Sequence, residues 1–262
     1  MLINLTYACK MGCNHCLSDC KPDGENMSIS TLKDVLNFLT KYDIPTWCFS
    51  GGEIFEHPNI LAMLDIIEEE WLKAGKFSAL LFITNGRELV RNKEIFSHVE
   101  ALVKKYGKKS IYIQVTNDSR LTEKELYWLN KIASDIDPLA GLPNDKERCL
   151  YPQGRALENY SEKNWNTIGP KCTNVRLLAK HGFHLNGISM TLYLKGKNCT
   201  PAIAPNGDIK LGESALCPPV ASIYDEERMI LNKMKNFHCK QCTIAWEKLK
   251  KNEPKIYQVL NQ

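Results

Sequence analysis

Four cysteines, Cys9, Cys13, Cys16 and Cys20, fall within twelve residues of the stretch "NLTYACKMGCNHCLSDC", Asn4 to Cys20. Thiols packed this closely serve as disulfide partners, zinc ligands or iron–sulfur ligands. The chain has 262 residues, 44% of them hydrophobic and 24% charged, enough to bury a core without disulfide staples. Met1 to Tyr7 show neither the basic region nor the apolar stretch of a signal peptide. No run approaches the roughly 18–20 apolar residues of a membrane span. The expectation is therefore a cytoplasmic chain, without a membrane partner, whose thiols stay reduced. Eleven cysteines, an odd number, then point to metal or cluster ligation rather than to a disulfide framework.

Cys9, Cys13 and Cys16 are spaced C-x3-C-x2-C on the loop after a first predicted strand. In parallel α/β folds, chemistry gathers at the carboxyl ends of strands. A compact loop there can put three thiolates on three irons of a [4Fe–4S] cluster and leave the fourth iron open, whereas full ligation uses four cysteines. A structural zinc site is normally closed by a second C-x2-C pair, and none lies nearby. Cys20 reads as a bystander or a fourth ligand. A second set, Cys199, Cys217, Cys239 and Cys242, flanks a predicted hairpin and a helix. Its four thiols would close around one centre, either zinc or an iron–sulfur cluster. Cys48 reads as a small buried hydrophobe in a strand, and Cys149 and Cys172 have no assigned role.

The elements that must position these residues follow a strand–helix repeat. Leu2–Ala8 reads as a strand. Ser30–Tyr42 reads as a helix, with Leu32, Val35, Leu36 and Leu39 at helical spacing and Ser30 as N-cap. Pro45–Ser50 is a strand, and His57–Gly75 a helix with Pro58 in its first turn. Phe77–Gly86 is a strand, Asn92–Tyr106 a helix, Ser110–Thr116 a strand and Thr122–Ser134 a helix. The strands lack polar alternation, so a parallel sheet covered by helices is expected. Leu150–Ala156 and Gly187–Leu194 would add two more strands and complete six units, an incomplete barrel open on one side. After Gly196 the composition changes. Two short apolar runs flank Asn206–Gly207, a strong hairpin signal, and Asp225–Phe237 reads as a helix. The expected division is a barrel over 1–195 and a small hairpin-plus-helix domain over 196–262.

"CKMGCNHC", followed after the second strand by "SGGE" (Ser50 to Glu53), resembles the radical S-adenosylmethionine (SAM) enzymes. Motif order and element positions agree from about residue 2 to residue 120. The resemblance implies a partial (β/α)6 barrel, with Cys9, Cys13 and Cys16 holding a [4Fe–4S] cluster whose open iron chelates SAM. It implies reductive cleavage of SAM to a 5′-deoxyadenosyl radical, which removes a hydrogen atom from a substrate. Ser50, Gly51 and Gly52 would let the backbone approach the methionine moiety, and Glu53 would meet its ammonium. His15 would lie near the adenine. Asn85, Gln114 and Thr116 would reach the methionine carboxylate or the ribose, and Arg155, in "PQGRA", is a further candidate contact. The second cysteine set resembles the one-cluster Twitch type of the SPASM group and its small dehydrogenase branch, which implies a second, auxiliary [4Fe–4S] cluster.

The expected function is thus a two-electron oxidation of a small molecule, such as a sugar or cyclitol alcohol, fed by an electron donor such as flavodoxin or ferredoxin. Modification of a ribosomally made peptide is the alternative. The chain begins directly at the first barrel strand, without a peptide-recognition domain before it, which tilts the expectation to the small molecule. A zinc-binding module without catalysis is the reading from another class. Net charge is +4, and the lysines of "WEKLKKNEPK", Trp246 to Lys255, read as a solvated helix face. No aromatic residues interleave with them, so no nucleic-acid partner is expected.

Overall fold

A computed structural model describes residues 1–42, 44, 46–75, 79–116, 121–137, 154–159, 201–212, 217–236, 250–251 and 254. The first four strands are β1 (Leu2–Thr6), β2 (Trp47–Gly51), β3 (Leu80–Thr84) and β4 (Ile111–Thr116). Between them lie helices α1 (Ile29–Lys41), α2 (Ile60–Lys73), α3 (Arg87–Arg91) and α4 (Lys93–Tyr106), with a 3-10 turn at Ile54–Glu56. Then come α5 (Glu123–Ile132), β5 (Asp135–Asp137), α6 (Ala156–Asn159), β6 (Ala202–Ile203), β7 (Asp208–Lys210), β8 (Pro219–Ser222) and α7 (Glu227–Asn236). One open sheet runs in the order β5-β4-β3-β2-β1-β6-β7-β8. β1 to β5 are mutually parallel, as crossover helices require. This is the expected partial barrel, with an unclosed sheet.

Each strand sends alternate residues to opposite faces. Ile3, Leu5, Phe49, Phe82, Ile113 and Val115 belong to the main core, together with Leu32 and Leu36 of α1, Met63 and Ile67 of α2, Val99 of α4 and Leu129 of α5. Phe49 and Phe82 are register partners, and their rings stack with centroids 5.3 Å apart. The opposite, concave face carries a smaller apolar cluster of Leu2, Cys48 and Ala202, with Leu81 and Ile83 packed against it. Cys48 is thus a buried hydrophobe on the floor beneath the strand ends.

Several expectations are corrected in detail. The N-cap of α1 is Ser28, whose side chain accepts from the Thr31 N–H, and not Ser30. α2 begins at Ile60, because the chain first makes the 3-10 turn that Glu53 caps. Of the strand expected at Leu150–Ala156, residues 154–156 form a turn leading into α6. The segment 150–153 and the strand expected at 187–194 lie outside the described residues. The fifth parallel strand is instead Asp135–Asp137, too short and polar to show as a strand in sequence. The hairpin at Asn206–Gly207 is present as β6–β7. β6 also pairs in parallel with β1, Leu2 with Ala202, so the hairpin continues the barrel sheet.

Candidate functional site

The loop after β1 is pinned to its surroundings by backbone hydrogen bonds. Tyr7 N–H donates to Glu25 O (2.7 Å), Cys9 N–H to Lys21 O (2.9 Å), and Lys21 N–H to Tyr7 O (3.2 Å). The returning chain therefore holds both ends of the cysteine segment. Within it, Cys16 N–H reaches Cys13 O (3.2 Å), which closes a tight turn between the two cysteines. Cys9, Cys13 and Cys16 are all partly buried.

A cleft of about 320 Å³ opens at the carboxyl ends of β1 to β4, within the usual size of small-molecule sites. Its lining includes Cys9, Cys13, His15 and Cys16 from the loop after β1, and Ser50, Gly51, Gly52, Asn85 and Thr116 from the ends of β2, β3 and β4. Residues from four separate segments thus meet at one place. Gly52 sits where the β1 and β2 loops touch. Its N–H donates to Thr6 O (2.7 Å) and the next N–H, of Glu53, to Ala8 O (2.9 Å). A Cβ at Gly52 would overlap the Ala8 carbonyl oxygen and crowd the Cys9 Cβ.

Three candidate residues take other places. Glu53 is fully buried and is not among the lining residues. Its Oε1 accepts from the Thr84 hydroxyl (2.6 Å) and Phe55 N–H (3.1 Å), and its Oε2 from Asn85 N–H (2.8 Å). It lies behind Asn85 and ties the β2 loop to the end of β3. Gln114 is two residues before Thr116, on the same strand face and one layer further from the mouth. Arg155 packs against the cysteine loop from outside the cleft lining. Sequence reasoning passed over Met11, Leu17, Ser18, Ile83 and Thr84, which also line the cleft. Ile83 was accessible from the two-residue period, since it shares a face with Leu81. Of the second cysteine set, Cys217 is buried near the hairpin, and Cys199, Cys239 and Cys242 lie outside the described residues.

Burial pushes the Cys9 thiol up to about 12. Cys16 is held well below the ordinary thiol range, chiefly because the Cys20 thiol donates to it, with the Arg155 guanidinium adding to the effect. The Cys20 backbone N–H lies 3.3 Å from the Cys16 Sγ. Cys20 itself is pushed far up, by that donation and by burial. The two side chains are thus paired, with the shift downward at Cys16 and upward at Cys20.

Among the described residues, no three His, Cys, Asp or Glu side chains converge closely enough to hold a single metal ion. A [4Fe–4S] cluster makes a different demand. Its ligands bind separate irons, so the sulfurs stand further apart than around one ion. Three thiols lining one cleft at the strand ends fit that donor set. Arg155 Nε and Arg87 Nε are buried without a hydrogen-bond partner, two positive groups beside the site that suit an anionic occupant.

Burial raises the Glu53 carboxyl from its ordinary value of 4.5 to about 7, against the opposing hydrogen bonds from Thr84, Asn85 and Phe55. A raised folded-state value means that the native state binds the extra proton. The associated stability is full below about 4.5 and is lost as pH rises through about 7, on the order of 3 kcal/mol in all. Glu53→Gln keeps an oxygen for Thr84 and Phe55 but turns an N–H group toward Asn85. We expect a pH-independent cost of about 1–3 kcal/mol and a flattened stability profile between pH 4.5 and 7. Denaturant melts of both proteins across that window check it. Parallel pH profiles would show that Glu53 does not titrate there.

No family model matches the chain. A curated relative, the antilisterial bacteriocin subtilosin biosynthesis protein AlbA of Bacillus subtilis (strain 168), is 31% identical over 185 residues, 70% of this chain and 38% of that protein. The chain thus matches well under half of that relative's length. Among solved structures, BtrN in complex with AdoMet and 2-DOIA superposes with a TM-score of 0.53 at 12% identity, over 95% of this chain and 85% of that one. That likeness concerns the fold. The anSMEcpe structure with bound AdoMet and Cp18Cys peptide reaches a TM-score of 0.41 at 18% identity, over 92% of this chain and 82% of that one.

Proposed function

We infer that this chain, which belongs to the radical SAM superfamily, binds a [4Fe–4S] cluster through Cys9, Cys13 and Cys16 and seats SAM in the cleft beside it. One observation carries this reading: the three thiols share a single cleft with Gly51, Gly52, Asn85 and Thr116 at the carboxyl ends of parallel strands. When bound, the cluster supplies an electron to SAM, whose sulfonium cleaves to yield the radical that takes a hydrogen atom from the substrate. The protein's own residues bind, orient and shield. Gly51 and Gly52 line the cleft and would face the methionine moiety, Asn85 and Thr116 would offer polar groups to its carboxylate and ribose, and His15 would lie near the adenine. Glu53 acts from behind: it fixes the Asn85 N–H and so the strand end that faces the ligand.

We assign Cys199, Cys217, Cys239 and Cys242 to an auxiliary [4Fe–4S] cluster in a C-terminal module over 196–262. Four cysteine ligands would fully ligate such a cluster, which would then supply electron transfer or a structural support rather than a substrate-binding site. The net reaction is then a two-electron oxidation, one SAM consumed per product, with flavodoxin or ferredoxin as the class of external donor. The likeness to AlbA favours a peptide substrate. The small alcohol is the second class, supported by the Twitch-like cysteine spacing.

Anaerobic reconstitution of the full chain tests the reading. We expect roughly eight irons per chain, release of 5′-deoxyadenosine with a one-electron donor, and a product two hydrogens lighter from either a precursor peptide or a cyclitol. Roughly four irons with a bound zinc would remove the auxiliary cluster. A colourless protein that leaves SAM intact would refute the reading as a whole.

A further inference from the structure

We propose that Arg155 is a positioning residue that keeps a positive charge against the Cys16 side of the cluster and so makes that cluster easier to reduce. The inference rests on the assignment of Cys9, Cys13 and Cys16 as cluster ligands. It starts from the short segment 154–159, which docks on the cysteine loop across 135 residues of sequence.

The docking is specific. Arg155 N–H donates to Cys16 O (3.0 Å), and the Asn159 side-chain amide donates to Asn14 O (3.1 Å). Gly154, at φ 57°, lies so close that a Cβ would overlap the Cys16 and Leu17 carbonyl oxygens. A glycine followed by arginine is therefore what lets the segment reach the loop. The guanidinium is then held in place: Nη2 donates to Cys20 O (3.0 Å), and Nε stands 3.5 Å from Asp19 Oδ1. That last distance is an ion pair without hydrogen-bond geometry, and Nε is buried with no hydrogen-bond partner. The side chain is only 24% exposed.

Reduction adds one electron and no proton, so the reduced cluster carries one more negative charge. A fixed cation nearby, in a poorly solvated setting, stabilises that form more than the oxidised one. Net charge, hydrogen bonds to the sulfurs and solvent exposure are the levers that set cluster potentials. Arg155 supplies the first, and the Cys20 N–H near the Cys16 Sγ supplies the second. The single charge of Asp19 at the rim offsets Arg155 only in part, because Asp19 is the more exposed of the two.

The test is an EPR-monitored redox titration of the first cluster in the reconstituted full chain, with iron content measured alongside. Arg155→Gln should load iron yet show a midpoint lower by about 59 mV or more, a tenfold fall in the reduced-to-oxidised ratio at fixed poise for a one-electron couple. Arg155→Lys keeps the charge and should recover most of that shift. Full iron with an unchanged midpoint in Arg155→Gln overturns the proposal. Should Arg155→Gln fail to load, Arg155→Lys decides. A midpoint near that of the unaltered protein supports the charge effect, and one lower by about 59 mV or more overturns it. An unaltered protein that builds no cluster would instead refute the ligand assignment itself.

Discussion

Replacing Cys13 with alanine is expected to abolish SAM cleavage while leaving the fold in place. The Cys13 backbone carbonyl, which accepts from Cys16 N–H, survives the substitution. Its side chain is only partly buried and belongs to the cleft wall, not to the hydrophobic core. The apo protein should therefore melt within about 0.5 kcal/mol of the original, as for surface substitutions generally. With Cys9, Cys13 and Cys16 as the proposed ligands, the loss would fall on the cluster, left with two of three. First-site iron and 5′-deoxyadenosine release should both drop below detection. Release at the ordinary rate would show that the cluster is held elsewhere.

Gly52→Ala should act by a different route, through the scaffold. The added methyl has no room between the β1 and β2 loops, where it meets the Ala8 carbonyl and the Cys9 side chain. Relief requires the loops to part, and that strains the hydrogen bonds from Gly52 to Thr6 and from Glu53 to Ala8. Overpacking of this kind costs about 1–3 kcal/mol. In a protein of this size that lowers the melting temperature by several degrees. Because Cys9 rides on the displaced loop, SAM affinity should fall even in molecules that stay folded. Calorimetry and SAM titration measure the two effects separately. A variant that matches the original in both would mean that the loops yield freely.

The sequence revealed most where a pattern was local. β1 to β4 and helices α1, α2, α4 and α5 follow from runs of apolar residues at periods of two or 3.6, and α4 starts right after the Asn92 cap that opens its predicted range. The cleft's cysteines and Gly51–Gly52 were legible because each motif is contiguous. What a contiguous motif does not show is the distant partners of its residues. Glu53 of "SGGE" accepts from Thr84 and Asn85, more than thirty residues on. The Arg155 side chain meets the Cys20 carbonyl, 135 residues away, and Asp19. β5 has one apolar residue in three, and β6 has only two residues, so neither carries a period. "PQGRA" contains both Pro152 and Gly154, turn signals that outweigh its few apolar neighbours.

The pairing of β1 with β6 bears on how the chain is made. Leu2 meets Cys48 on one side but Ala202 on the other. At roughly 5–20 residues per second on a ribosome, the second partner emerges about 10–40 seconds after the first strand. During that interval a nascent sheet of β1 to β4 presents the backbone of Leu2 and Ile3 as an open edge, a template for pairing with another chain, while Asn26 and Met27 already pair with Thr6 and Leu5. β1 is wholly buried in the finished protein and has no charged residue to blunt that edge. Production of the protein should therefore gain from slower accumulation and from chaperones that shelter the emerging chain until the hairpin at Asn206–Gly207 arrives to cover it.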